Sequence, residues 1–199
     1  MVYAVLAVAY AVGAVAFARP VPPFPTVALV ARFMVAFGLP ITATVIYLLF
    51  RSLWKHDTVR TGNGAFQATY RAIVFWVVLF VSILHVFVAA VLLGIADDRA
   101  IASRAVVFLL GSLFIAVGNL LPRTRPNIAL GLRTRRTLAN VQVWQQVHRV
   151  GGYATVLWGC VTAIAAVAVS KDLLGGVLSL TAVLALGAVI VSYRRYACA

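Results

Sequence analysis

The side chains able to do acid–base, nucleophilic or metal chemistry are few and scattered. Of 199 residues only three are histidines and four are acidic. The four are aspartates, Asp57, Asp97, Asp98 and Asp172, each in a polar stretch between apolar runs. General acid–base work between apolar segments would need a carboxylate pair within them, and none is there. His56, His85 and His148 lack the spacing of a metal-ligand set. Cys160 lies in an apolar run and Cys198 near the last residue, which suits neither a metal site nor a disulfide framework. No H-E-x-x-H, G-x-S-x-G or phosphate-cradling glycine loop occurs. Hydrolytic or ATP-driven chemistry is therefore not expected: the chain reads as a non-enzyme, and no metal or cofactor is implied.

What could carry a function is one dense polar stretch. It reads Gly118-Asn119-Leu120-Leu121-Pro122-Arg123-Thr124-Arg125-Pro126-Asn127, then Gly131-Leu132-Arg133-Thr134, and finally Trp144, His148-Arg149 and Gly151-Gly152. Prolines and glycines at this density predict a fixed, non-helical path, and guanidinium groups bind phosphates or carbonyls with directional geometry. Asn119 and Asn127, beside the prolines, could cap helix ends or chelate a polar ligand. Over residues 138–150 a helical wheel puts Gln142, Gln145, Gln146 and Arg149 on a wet face and Val143, Val147 and Val150 opposite, with His148 on the edge of the buried side. This predicts an interfacial helix capped by Asn140, with Trp144 at the headgroup boundary, leading into the next apolar run. His148 could anchor the loop or bind a ligand or proton.

The elements that must position this loop are apolar. Hydrophobic residues make up 64% of the chain and its mean hydropathy is +1.04, too little polar surface for a soluble domain of this size. Apolar runs of ~20 residues, the length that crosses a hydrocarbon layer, recur. They fall at residues 2–18, 27–50, 72–96, 105–121, 151–170 and 173–193, so the expected fold is all-α, a single transmembrane bundle of about six spans. Residues 2–18 also resemble the apolar part of a signal peptide, with Ala16-Phe17-Ala18 like a cleavage site, but no Lys or Arg precedes them, so they are read as a retained span. The second run is expected to be capped by Thr26, kinked at Pro40 and anchored by a snorkelling Arg32. Residues 51–71 have the composition of a hydrated loop, and Lys171-Asp172 mark a tight hairpin between the last two runs. Gly111, Ser112, Gly159 and Gly187 suit close helix packing.

Net charge is +13, but the basic residues lie in short connectors rather than on a soluble face with stacking aromatics, so direct nucleic-acid binding is not expected. Counting alternate connectors, four basic residues in 51–71, six in 122–149 and two at the tail face five on the other side. The positive-inside rule then places the loop and both termini in the cytoplasm of a cell whose inner membrane the chain crosses repeatedly.

The order G-N-x-x-P, P-N, G-x-R-T, T-L, W-x-x-x-H-R and G-G over Gly118 to Gly152 resembles the signature loop of the SdpI family. His85, midway along the third run, resembles a histidine often found there in members. The chain departs at Arg135-Arg136, where many members carry Pro-Trp, and in its proline-rich segment before the second run. The resemblance implies a small multi-span bacterial membrane protein acting in immunity to a secreted peptide toxin and in signal transduction. The implied partners are membrane lipids, a peptide toxin and a cytoplasmic regulator. The ligand or partner candidates are Asn119, Pro122, Pro126, Asn127, Gly131, Arg133, Thr134, Trp144, His148, Arg149 and His85. Two rivals stay open: a small transporter or exporter using His85, and a lipid-acting enzyme using His148 and Arg133.

Overall fold

The computed structural model describes residues 1–18, 29–57, 64–95 and 99–197. Every regular element among them is helical: α1 (Val2–Ala18), α2 (Leu29–His56), α3 (Gly64–Leu92), α4 (Arg99–Leu120), a 3-10 turn (Leu121–Arg123), α5 (Arg135–Ala139), α6 (Val141–Ala168) and α7 (Lys171–Ala197). In hydrocarbon each backbone N–H and C=O needs an internal partner, and a helix supplies them within one segment. Five helices, α2, α3, α4, α6 and α7, are long and apolar enough to cross a membrane. The fold is thus a polytopic helical bundle. The shorter α1 is equally apolar, and at 17 residues it extends ~25 Å. Thr26, the prolines before it, Gly62-Asn63, Asp97, Asp98 and Cys198 lie outside the described residues.

The helices outrun the apolar runs. Residues 51–71, expected as a hydrated loop, are helical from Arg51 to His56 and from Gly64 onward. Aromatic packing explains the difference: Trp54 lies against Phe66 and Tyr70, with ring centroids 5.4 and 4.7 Å apart. The Tyr70 hydroxyl donates to the Phe50 carbonyl at 2.7 Å.

The chain forms two compact units, residues 1–49 with 77–106 and residues 50–76 with 107–199. In the first, Pro40 sits inside α2 and is buried. Its missing N–H frees the Ala36 carbonyl four residues back. α1 crosses at that point through Gly13, where a Cβ would collide with the Ala36 carbonyl oxygen. Glycine here lets the α1 backbone approach the exposed acceptor closely. The Tyr10 and Thr44 hydroxyls also bond between the two helices at 3.1 Å. Arg32 donates to the Phe17 carbonyl, its guanidinium over the Phe17 ring, and so serves the C-terminal end of α1.

In the second unit α4 and α6 meet backbone to backbone at two reciprocal glycine pairs. A Cβ on Gly111 would lie 2.7 Å from the Gly159 carbonyl, and one on Gly159 2.7 Å from the Gly111 carbonyl. Gly118 and Gly152 repeat the arrangement at 3.0 and 2.7 Å. The pairs are two turns apart on each helix and run antiparallel, as small residues at a membrane-helix interface allow. Phe114 stacks on Trp158 beside them, 4.3 Å between centroids. Ser112 instead bonds the Phe108 carbonyl of its own helix, and Gly187 has open space where a Cβ would go, so neither joins this interface. Only Val169 and Ser170 separate α6 from α7, the tight hairpin expected.

Candidate functional site: a side-chain-stitched cap

The polar stretch lies wholly in the second unit and forms a cap between α4 and α6. It begins where Pro122 stops α4 and opens a 3-10 turn, a position that needs no N–H. Pro122 also packs against Gly152, where a Cβ would meet its ring at 2.8 Å. Thr124 closes the turn: its backbone N–H and its hydroxyl both donate to the Leu121 carbonyl, at 3.0 and 2.7 Å.

From Thr124 to Thr134 the backbone follows no regular element, so its donors need side-chain acceptors. Asn127, fully buried, accepts from the N–H groups of Ala129 and Leu130 at 2.9 and 2.7 Å and donates to the Arg125 carbonyl at 2.7 Å. Pro126, also fully buried, fixes the chain just before it. The Ile128 N–H donates to an Asp57 carboxylate oxygen at 3.1 Å, and the Arg133 guanidinium donates to the Ile128 carbonyl.

His148 holds the far side. Its Nε2 accepts from the Leu132 N–H at 2.9 Å, and its Nδ1 pairs with the Trp144 carbonyl at 2.8 Å. Only an imidazole protonated at Nδ1 and bare at Nε2 makes both bonds. The ring lies parallel to the Trp144 indole, centroids 3.9 Å apart. Gly131 packs on its other edge: φ is +91°, and a Cβ there would overlap the imidazole. Glycine is thus required twice, by backbone conformation and by space.

The remaining turn is capped in the same manner. Thr134 is the N-cap of α5 and forms a capping box with Thr137. The Thr137 hydroxyl also donates to the Leu132 carbonyl at 2.8 Å. Asn140 then caps α6, accepting from the N–H groups of Gln142 and Val143, as the sequence predicts.

The structure corrects two details. The interfacial helix and the following span are one helix, Val141–Ala168, running through Gly151-Gly152, because those glycines sit in the interior of the unit instead of ending the helix. Trp144 is not a headgroup anchor: it is completely buried, and its indole N–H donates to the Thr124 hydroxyl at 3.1 Å. His148, expected on the edge of the buried side, is only 4% exposed.

The structure therefore gathers Pro122, Pro126, Asn127, Gly131, Arg133, Thr134, Trp144 and His148 into one cluster. Asn119 stands exposed on the last turn of α4, and Arg149 is exposed on α6. His85 belongs to the first unit. Thr124, Thr137 and Asp57 complete the cluster and were not singled out as candidates. The T-x-x-T spacing of Thr134 and Thr137 is the one local signal for them. Both nitrogens of His148, both ends of the Asn127 amide and the Thr137 hydroxyl are engaged with the protein, which leaves no free general base among them. What faces outward is cationic: Arg123, Arg133, Arg135, Arg136 and Arg149 are exposed. Among the described residues no three His, Cys, Asp or Glu side chains gather. Chemically, the arrangement holds an irregular backbone rigid and presents guanidinium groups on it.

The cap leads directly into α6 and α7, and these segments together carry a known signature. Residues 123–193 match the SdpI/YfhL protein family. The match takes in the cap from Arg123, the Trp144–His148 pair and the last two helices, and leaves α1 to α4 outside it. No similar curated protein and no similar solved structure was found. With five helices suited to crossing a membrane, the chain is a multi-pass membrane protein whose residues 123–193 are similar to the SdpI/YfhL family.

Proposed function

We propose that this protein is an immunity and signal-transduction protein of the inner membrane, protecting the cell from a secreted peptide toxin and relaying its presence through the cap. The toxin is met in or at the bilayer, and the occupied state is passed along α6 to the arginine-bearing surface. The observation that supports a relay is the attachment of the cap to α6: Trp144 and His148 are consecutive turns of α6 and hold Thr124 and Leu132. A displacement of α6 is then a displacement of the loop. The exposed arginines suit an acidic or phosphorylated cytoplasmic regulator, and they also suit anionic lipid, at ~1 kcal/mol per residue.

Deleting the gene should raise sensitivity to at least one secreted peptide toxin, and complementation should restore resistance. Unchanged sensitivity across a broad panel of such peptides would overturn the immunity reading. Transport is the second reading, drawn from His85, fully buried in α3. Saturable flux into liposomes, lost in His85→Ala, would favour it over immunity by binding.

A further inference from the structure

Asn119, Arg123 and Arg149 belong to the polar stretch but take no part in holding the cap. All three are exposed, as is Tyr153, one turn beyond Arg149 on α6. None of these four side chains bonds to another described residue. They flank the closest approach of α4 and α6. A Cβ on Gly152 would meet both the Gly118 carbonyl and the Pro122 ring, so Gly152 stands level with the last turn of α4. Arg123 follows Pro122, and Arg149 lies about 4.5 Å outward of Gly152 along α6, which sets the two arginines at a similar height.

The helical rotation puts them on one flank of this seam. Asn119 is turned about 100° forward from Gly118, Tyr153 about 100° and Arg149 about 60° forward from Gly152. Because α4 and α6 run antiparallel, a forward rotation on each leads to the same side. The same count carries Trp144 and His148 to the other flank, where both are buried. It brings Phe108 of α4 and Leu157 of α6 to the flank of the arginines, and these are 49% and 67% exposed. The flank is thus apolar below and cationic above, as a surface facing lipid at the membrane boundary would be. Asn119 and Tyr153 lie between, each about 6 Å deeper than an arginine, which matches the roughly 5–7 Å of headgroup zone on each side of the hydrocarbon.

We infer that this flank of the α4–α6 seam binds an anionic phospholipid: Arg123 and Arg149 take its phosphate, Asn119 and Tyr153 donate to its ester carbonyls, and its acyl chains lie on Phe108 and Leu157. Guanidinium groups bind phosphate oxygens with directional, charge-assisted hydrogen bonds, and an amide and a phenol supply the donors that ester oxygens lack. A zwitterionic headgroup would bring an ammonium in need of a carboxylate. Asp57 is already engaged by the Ile128 N–H, and Asp172 lies at the far end of α6. The inference divides the exposed arginines between the two partners named above, giving Arg123 and Arg149 to lipid and leaving Arg133, Arg135 and Arg136 for a regulator.

The test is photolabelling of the full-length protein in phosphatidylcholine nanodiscs. One probe is trace phosphatidylglycerol with a diazirine high on one acyl chain, the other phosphatidylcholine with the same chain. The phosphatidylglycerol probe should label residues 115–123 and 149–157 about thirtyfold more, the ratio that two basic residues at a lipid surface give. Unlabelled phosphatidylglycerol should compete the label away, and inorganic phosphate should not. Arg123→Gln/Arg149→Gln should abolish the preference. Arg135→Gln/Arg136→Gln, which removes equal charge from the far part of the cap, should leave it intact, and Asn119→Leu/Tyr153→Phe should lower it severalfold with no change of charge. Equal labelling by the two probes, equal loss in the two arginine pairs, an undiminished preference in Asn119→Leu/Tyr153→Phe, or displacement by inorganic phosphate would overturn the inference. Toxin sensitivity plays no part in this readout, so the immunity reading stands or falls separately.

Discussion

At the scale of residues, the packing of Gly131 on His148, which leaves no room for a Cβ, is the most informative contact in the cap. Replacing Gly131 with alanine imposes a positive φ on a side-chain-bearing residue, at about 1–2 kcal/mol, and drives its methyl into the imidazole. The ring must then move, and the Leu132 bond, worth about 1 kcal/mol, goes with it. Gly131→Ala should therefore cost at least about 2 kcal/mol, seen as a lowered unfolding temperature in detergent. An unchanged midpoint would mean that the imidazole is not packed on this glycine. Local pattern could point to Asn127, Gly131, Thr134 and His148, because turn residues and a helix-face histidine advertise themselves over a few positions. It could not show that Thr124, 20 residues before Trp144, takes the indole N–H, or that Asp57 reaches Ile128 across 71 residues. Those partners are chosen by tertiary approach. The wheel likewise ordered the faces of residues 141–150 correctly but could not tell a buried tryptophan from one at a lipid boundary, since both lie on an apolar side.

At the scale of elements, the α4–α6 interface makes a prediction with an internal control. Gly159→Val puts two methyl-bearing branches where the Gly111 carbonyl and Ile115 already lie, and overpacking of this kind costs about 1–3 kcal/mol or more. Gly187→Val adds the same atoms to α7 where nothing lies within 4 Å. Side by side in one detergent, the first should lower the unfolding temperature and the second should leave it within error. Equal effects would contradict the backbone contact and assign the loss to valine's helix propensity alone. Existence of the helices was legible because apolar runs without charge have few other fates. Their ends were less so. α2 continues through Arg51 and Lys55, and α3 begins by Gly64, because Trp54, Phe66 and Tyr70 pack together there and reward helix over loop. The small-residue signal was sound for Gly111 and Gly159, while Gly187 shows that glycine in an apolar run does not by itself specify contact.

At the scale of the whole molecule, basic residues concentrate in alternate connectors, and the cap carries six of the 17. Orientation is testable in a Cys160→Ala/Cys198→Ser background. Arg135→Cys, in the cap, should react with a membrane-impermeant maleimide only after permeabilisation, and Ser170→Cys, between α6 and α7, in intact cells. The opposite pattern would invert the proposed relay and place the arginines outside.

Both the proposed relay and its arginine surface require that the cap be a built structure rather than a tether. Hydrogen exchange on the full-length protein in nanodiscs reads this directly at Ile128, Ala129, Leu130 and Leu132, whose N–H groups are held by Asp57, Asn127 and His148. The account predicts that these amides exchange many times more slowly than an unstructured peptide of the same sequence, with Leu132 released in His148→Ala. Exchange at the unstructured rate in the intact protein would contradict it.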